Sequence, residues 1–162
     1  MEIACNHASN LDRFDSYLKI CRDIGNISIK YQIYNSDFLC HHSYKYLEDL
    51  KNVEITHNKW NYIIEETLKK DIDLWLEPFE ESSLDFIIKL NLMDKISIKI
   101  PSCDVPLVEP NILKKFKMVG IAIGGLDLKE LKEYIPKFKK HIDNLFLFHG
   151  YQAFPTSVND TN

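Results

Sequence analysis

Short apolar runs alternate with amphipathic segments along this chain. Six of the runs predict β-strands, at residues 3–5, 27–33, 72–76, 96–100, 118–123 and 145–148. Between them, apolar positions recur at the three- and four-residue spacing of helices. Strands that alternate with helices across short connections are typical of a parallel sheet with right-handed crossovers. The pattern therefore predicts a fold of the α/β class.

The length limits which α/β architectures fit. The 162 residues suffice for one domain with a hydrophobic core, spanning residues 1–162. Both a doubly wound open sheet and part of a (β/α)₈ barrel agree with the pattern. A whole barrel usually takes ~250 residues, so this chain is short for one. Periodicity alone does not choose between the two.

Polar side chains gather where the predicted strands end. Lys30 and Gln32 are two residues apart and therefore share one face of the second strand. Lys99 and Ser102 close the fourth strand, and His149 follows the sixth. The carboxyl ends of parallel strands meet at one edge of the sheet, where α/β enzymes carry their active sites. Each group alone also fits a solvated strand end, because lysines are usually surface residues.

Composition narrows the class of partner. The net charge of −4 argues against a general nucleic-acid binder, which is usually basic. No apolar run approaches the ~20 residues that span a bilayer, so we expect no membrane segment. The four cysteines form no paired motif, and a chain of this size needs no disulfides. These features predict a cytoplasmic protein with free thiols.

Six short motifs, taken in order, resemble those of the sialic acid synthase family, which makes N-acetylneuraminate, pseudaminate and legionaminate. They are Glu-Ile-Ala-Cys-Asn-His at residues 2–7, Lys-Tyr-Gln at 30–32, Pro-Phe at 78–79, Lys-Ile-Pro-Ser at 99–102, Gly-Gly at 124–125, and the segment 149–156. The resemblance implies a (β/α) barrel of the TIM type, truncated here to about six β/α units. It also implies condensation of phosphoenolpyruvate with an N-acetylated sugar aldehyde, for surface polysaccharide biosynthesis, using Mn²⁺ or Mg²⁺.

The same resemblance assigns roles to nine residues. Glu2 and Asp104 are the expected catalytic residues, and His149 is the expected metal ligand. The expected substrate-binding residues are Asn6, Lys30, Gln32, Lys99, Ser102 and Gly124. The two lysines carry the positive charge that a phosphate and a carboxylate require.

The sequence also departs from the family pattern. Leu76-Glu77 stands where the family has Ser-Thr, and Glu77 would repel an anionic substrate unless it faces a metal or a lysine. We expect these 162 residues to lack the family's seventh and eighth strands, its second metal-binding histidine and its antifreeze-like domain. Three interpretations stay open. The first is a piece of a longer enzyme, and the second is an inactive truncated relative that binds a ligand or partner and closes its sheet with another chain, as in a homo-oligomer. An unrelated α/β domain that binds a phosphate ester is the third.

Overall fold

A computed structural model describes residues 1–150 and Ser157. Its centre is a parallel sheet of five strands whose spatial order follows the sequence. The strands are β1 (Ser28–Ile33), β2 (Asp73–Pro78), β3 (Ile96–Ile100), β4 (Val119–Ala122) and β5 (Leu145–Phe148). Because each strand pairs with the next one along the chain, every crossover runs in the same direction around the sheet, as in a barrel.

Helices occupy the crossovers between the strands. They are α1 (Leu11–Ile24), α2 (Ser36–Leu39), α3 (Leu47–Val53), α4 (His57–Lys69), α5 (Glu81–Lys89), α6 (Pro110–Leu113) and α7 (Leu128–Lys139). Their ends follow local chemistry: the Asn10 side chain accepts a hydrogen bond from the Asp12 amide at the start of α1. Asp127 and Glu130 form a reciprocal capping box at the start of α7. None of the helices in the described part of the chain is long and apolar enough to cross a membrane.

The prediction of a first strand at residues 3–5 is wrong. Residues Ala4–His7 form a 3₁₀ helix instead, and Ala4 has a φ of 46°, a left-handed conformation that ends extended structure. Pairing is reduced to one bridge between Glu2 and Lys30, in which the Lys30 amide donates to the Met1 carbonyl over 2.8 Å. The amino-terminal segment therefore lies beside β1 without forming a sixth strand.

The predicted α/β class with a parallel sheet is confirmed, whereas a barrel truncated to about six β/α units stays a prediction. Among the described residues the sheet has five strands and does not close. The edge strand β5 is half exposed, at 48% for Phe146 and 40% for Phe148. The described architecture is an open parallel sheet with helical crossovers.

One face of the sheet packs on α1 and α4 through an aromatic cluster. The ring of Tyr31 lies 5.4 Å from Phe14 and 5.7 Å from Trp60. His7 stacks on Phe14 at 5.0 Å, and burial lowers the pKa of its imidazole to about 4. His7 is therefore a neutral core residue at physiological pH. The opposite face of the sheet is left for polar side chains.

Gly120 shapes that opposite face. A Cβ at this position would overlap the ring of Phe148 and lie 3.1 Å from the indole of Trp75. Without it, Phe148 reaches across β4 and its ring centroid lies 5.8 Å from that of Trp75 in an edge-on contact. A glycine in the middle of β4 thus permits an aromatic pair to form over the strand.

We predict that Gly120→Ala destabilises the protein by about 1–3 kcal/mol, because the added methyl group overpacks this contact. Urea unfolding measures the change. Gly150→Ala is the control, since an added methyl group there meets nothing within 4 Å among the described residues. Adding Phe148→Ala to Gly120→Ala should recover part of the loss; no loss in Gly120→Ala alone contradicts the prediction.

Candidate functional site

A buried carboxylate joins two strand-borne lysines on the polar face of the sheet. Glu77 Oε2 lies 2.6 Å from Lys30 Nζ, and Glu77 Oε1 lies 2.5 Å from Lys99 Nζ. The Glu77 side chain is only 3% exposed, and the two lysines are 16% and 17% exposed. Each carboxylate oxygen thus has its own ammonium partner.

Strand register produces this arrangement. Gln32 on β1 lies opposite Glu77 on β2, two residues after Lys30. Leu76 pairs with Ile98, which puts Glu77 beside Lys99 of β3. Side chains in register on adjacent parallel strands point to the same face. Three consecutive strands therefore contribute one polar row.

Gln32 and Glu2 extend the row toward solvent. Gln32 Nε2 donates to Glu77 Oε2 over 3.3 Å and to Glu2 Oε1 over 3.1 Å. Glu2 Oε1 also lies 3.0 Å from Lys30 Nζ, and its side chain is 51% exposed. The bridge between the amino-terminal segment and β1 is what brings Glu2 here. We call Glu2, Lys30, Gln32, Glu77 and Lys99 the lysine–carboxylate cluster.

The charges in the cluster stabilise one another. Burial by itself raises the pKa of Glu77, but hydrogen bonds and charge attraction from Lys30 and Lys99 outweigh it and the pKa is lowered. Burial acts to lower the pKa of Lys30, and Glu77 and then Glu2 reverse this to a net rise. Glu77 and Lys30 are therefore charged at neutral pH. The formal charges of the two lysines and of the two carboxylates, Glu2 and Glu77, sum to zero.

An aromatic wall borders the cluster on the side of β5. The Lys99 ammonium lies 5.7 Å from the ring centroid of Phe148, close enough for a cation–π contact. Trp75 lies on β2, the strand that pairs with the strand of Lys99, and its ring contacts those of Phe148 and Phe146 edge-on. The wall limits the water around Lys99, so charges there interact more strongly than at an open surface.

The structure brings together four of the predicted site residues, namely Glu2, Lys30, Gln32 and Lys99. Asp104 lies elsewhere, in the loop after β3, where it lines a groove of about 640 Å³ with Phe79, Glu80 and Leu107. Burial raises the pKa of Asp104; a hydrogen bond with Cys103 opposes the rise and the Glu80 charge adds to it. No ion pair connects Asp104 with the lysine–carboxylate cluster among the described residues.

The remaining predicted residues are placed separately. The Asn6 side chain is exposed, while its carbonyl accepts hydrogen bonds from Arg13 over 2.9 Å and Tyr17 over 3.2 Å. Ser102 and Gly124 lie in the turns that follow β3 and β4, at the carboxyl ends of those strands. His149 is exposed directly after β5. Residues 151–156 of the last motif lie outside the described residues.

The predicted metal finds no complete ligand set in the described part of the chain. No group of three or more His, Cys, Asp or Glu side chains converges there. His149 offers one imidazole, whereas Mn²⁺ and Mg²⁺ prefer carboxylate oxygens as protein ligands. The described residues therefore do not fit a whole metal site, and we derive no chemical step through a metal.

Sequence reasoning did not assign Glu77 a role. It noted this residue only as a departure that requires a lysine or metal partner, and the structure provides two lysines. The available signal was its place at the end of a predicted strand, like Lys30 and Lys99. What the pattern lacked was the register that puts all three on one face.

Comparison with known proteins decides the family. A family model described as the NeuB family matches residues 22–162, most of the chain. The chain belongs to the NeuB family. Among curated NeuB-type relatives, it is similar to the N,N'-diacetyllegionaminic acid synthase of Legionella pneumophila, at 25% identity over 183 residues. That alignment covers 99% of this chain and 50% of the relative, so the chain spans about half the relative's length.

Solved structures agree on the fold of this NeuB family chain. The N-acetylneuraminic acid synthetase of Leptospira borgpetersenii superposes with a TM-score of 0.84 at 22% identity, over 99% of this chain and 56% of that one. A spore coat polysaccharide biosynthesis protein of Bacillus subtilis gives a TM-score of 0.73 at 14% identity, over 96% and 44% of the two chains. The open sheet therefore has the same arrangement as about half of each of those chains.

We predict that Glu77→Ala destabilises the protein by about 3 kcal/mol, because it leaves two partly buried ammonium groups without their carboxylate. Urea unfolding measures this loss. Glu66→Ala is the matched control, since Glu66 also pairs with two lysines, over 3.0 and 2.9 Å, but on the surface of α4. Equal effects of the two substitutions contradict the prediction.

The lowered pKa of Glu77 predicts an acid-sensitive contribution to stability. The contribution is fully present above the ordinary pKa of a glutamate and is lost as pH falls from there through the lower folded value, because the unfolded chain takes up the proton first. Unfolding free energies measured from neutral to acidic pH should fall less steeply for Glu77→Gln than for the native chain. Identical slopes contradict the prediction.

Proposed function

We propose that this chain is part of a synthase that joins phosphoenolpyruvate to an N-acetylated sugar aldehyde. The product is a sialic-acid-type nonulosonate for surface polysaccharides. The lysine–carboxylate cluster is the observation that carries the proposal. It gathers Lys30, Gln32 and Lys99 near the carboxyl ends of parallel strands, where such folds bind substrates. The synthase names of its relatives supply the reaction class.

The proposed reaction forms a C–C bond and breaks a C–O bond next to the cluster. The enolpyruvate methylene carbon bonds to the aldehyde carbon, whose oxygen takes up a proton and becomes a hydroxyl. Water adds to the central carbon of the enolpyruvate, and the C–O bond to the phosphate breaks with release of inorganic phosphate. The ammonium groups of Lys30 and Lys99 offset the negative charge of the carboxylate and phosphate during these steps.

Glu2 is the proposed proton acceptor. It is the exposed member of the cluster, and hydrogen bonds from Gln32 and Lys30 orient its carboxylate. An accessible, oriented carboxylate suits removal of a proton from water or a sugar hydroxyl. We propose Asn6, Ser102 and Gly124 as substrate contacts at the same end of the strands, and Asp104 as a second acid/base group in its neighbouring groove.

The divalent metal remains a prediction. Mn²⁺ or Mg²⁺ would supply a Lewis acid if bound, and His149 is the nitrogen ligand proposed to hold it. The further ligands are not among the described residues, so this part of the proposal depends on measured metal dependence. Homo-oligomer formation and a cytoplasmic location likewise remain predictions.

One observation favours a second candidate function. Because Glu77 and Glu2 together balance the two lysines, the cluster has no formal net charge to attract an anion. This suits a relative that has lost catalysis and acts as a ligand-binding or partner subunit. The two candidates differ in turnover.

We predict that the purified chain releases phosphate from phosphoenolpyruvate only when both N-acetylmannosamine and Mn²⁺ are present, and that Lys99→Met abolishes the release. Lys69→Met, on the surface of α4, is the control and should keep the native rate. Prior removal of metal with a chelator should stop the reaction. Binding of phosphoenolpyruvate without phosphate release supports the inactive relative and contradicts the enzyme.

A further inference from the structure

We infer that Glu77 lowers the anion affinity of this site: it is a built-in counter-ion that competes with an incoming anion for Lys30 and Lys99. The inference rests on the proposed function, because it takes these two lysines as the anion-binding groups. It goes further because it says that Glu77, a carboxylate of the protein itself, occupies the position where an anionic ligand would bind.

The fold prevents the buried Glu77 carboxylate from moving away from the two lysines. The side chain is 3% exposed, and the neighbouring Leu76 is completely buried. Glu77 lies in β2, which pairs with β1 on one side and β3 on the other, and Pro78 restricts the backbone just beyond it. Swinging the carboxylate away from the lysines would leave it buried without a partner, which is unfavourable. Glu77 therefore stays between the lysines when the site is empty.

Both lysines already have a carboxylate partner. Each donates to a different oxygen of the same carboxylate, at 2.6 and 2.5 Å. An anion that enters must share these donors with Glu77 and lie close to its negative charge. In a partly buried site this repulsion is weakly screened by water and salt. The native site therefore binds simple anions weakly.

Glu2 provides an internal comparison. Its carboxylate lies 3.0 Å from the same Lys30, but its side chain is 51% exposed. Water screens its charge, and the side chain has room to turn away when a ligand enters. Removing the charge of Glu2 should thus change anion affinity much less than removing that of Glu77. The difference between the two substitutions distinguishes local competition for the lysines from a general effect of the protein's net charge on anion affinity.

Sulfate binding to the full chain, measured by isothermal titration calorimetry at neutral pH, tests the inference. Glu77→Gln keeps the shape and one acceptor oxygen but removes the charge, and we expect it to bind sulfate at least tenfold more tightly than the native chain. Glu2→Gln should give a smaller gain. Glu66→Gln removes a surface carboxylate that pairs with two lysines and should leave affinity unchanged. Adding Lys99→Met to Glu77→Gln should abolish the gain.

Native sulfate affinity equal to that of Glu77→Gln, or an equal gain in Glu66→Gln, overturns the inference. Circular dichroism and thermal unfolding check that each variant is folded, and Glu77→Thr replaces Glu77→Gln if the latter is not. The outcome is distinguishable from that of the proposed function. Tighter sulfate binding by Glu77→Gln without any phosphate release supports the counter-ion and contradicts the enzyme, whereas turnover with no gain in binding does the reverse.

Discussion

The ion pairing of Glu77 with Lys30 and Lys99 is the constraint on which the polar face of this sheet depends. A carboxylate that is 3% exposed carries a large desolvation penalty, which only close, hydrogen-bonded cations offset. Because the three residues come from β1, β2 and β3, a shift of register in any of these strands would separate them. The pairing therefore requires one relative position of three strands as well as one charge state.

The two faces of the sheet carry different kinds of side chain. On one, Tyr31, Phe14 and Trp60 pack as an apolar core. On the other, alternate residues of the same strands carry charge, and Phe148 and Trp75 cover part of it. Glu2 reaches this face through a single bridge beside β1, so the most accessible carboxylate of the cluster is held by the least regular segment of the sheet.

Membership of the NeuB family explains the fold that this chain shares with its relatives, while the charges of the cluster are particular to this sequence. The described sheet matches about half of each solved relative, and its edge strand β5 carries exposed aromatic side chains. Glu77 between the two lysines, together with Glu2, brings the formal charge of the cluster to zero. Fold and family are thus shared with the synthases, whereas the charge balance of the site is a property of this sequence.

The sequence by itself determined the α/β class, the last five strands, the family, and the polar residues at strand ends. These follow from local patterns, because apolar periodicity and short motifs are written in consecutive residues. Only the tertiary structure decided that residues 3–5 form no strand, where Ala4 has a left-handed conformation, and that Asp104 lines a groove to which neither lysine contributes. It also decided that Glu77 joins Lys30 and Lys99. Such pairings depend on register between strands more than 20 residues apart, which no local pattern contains.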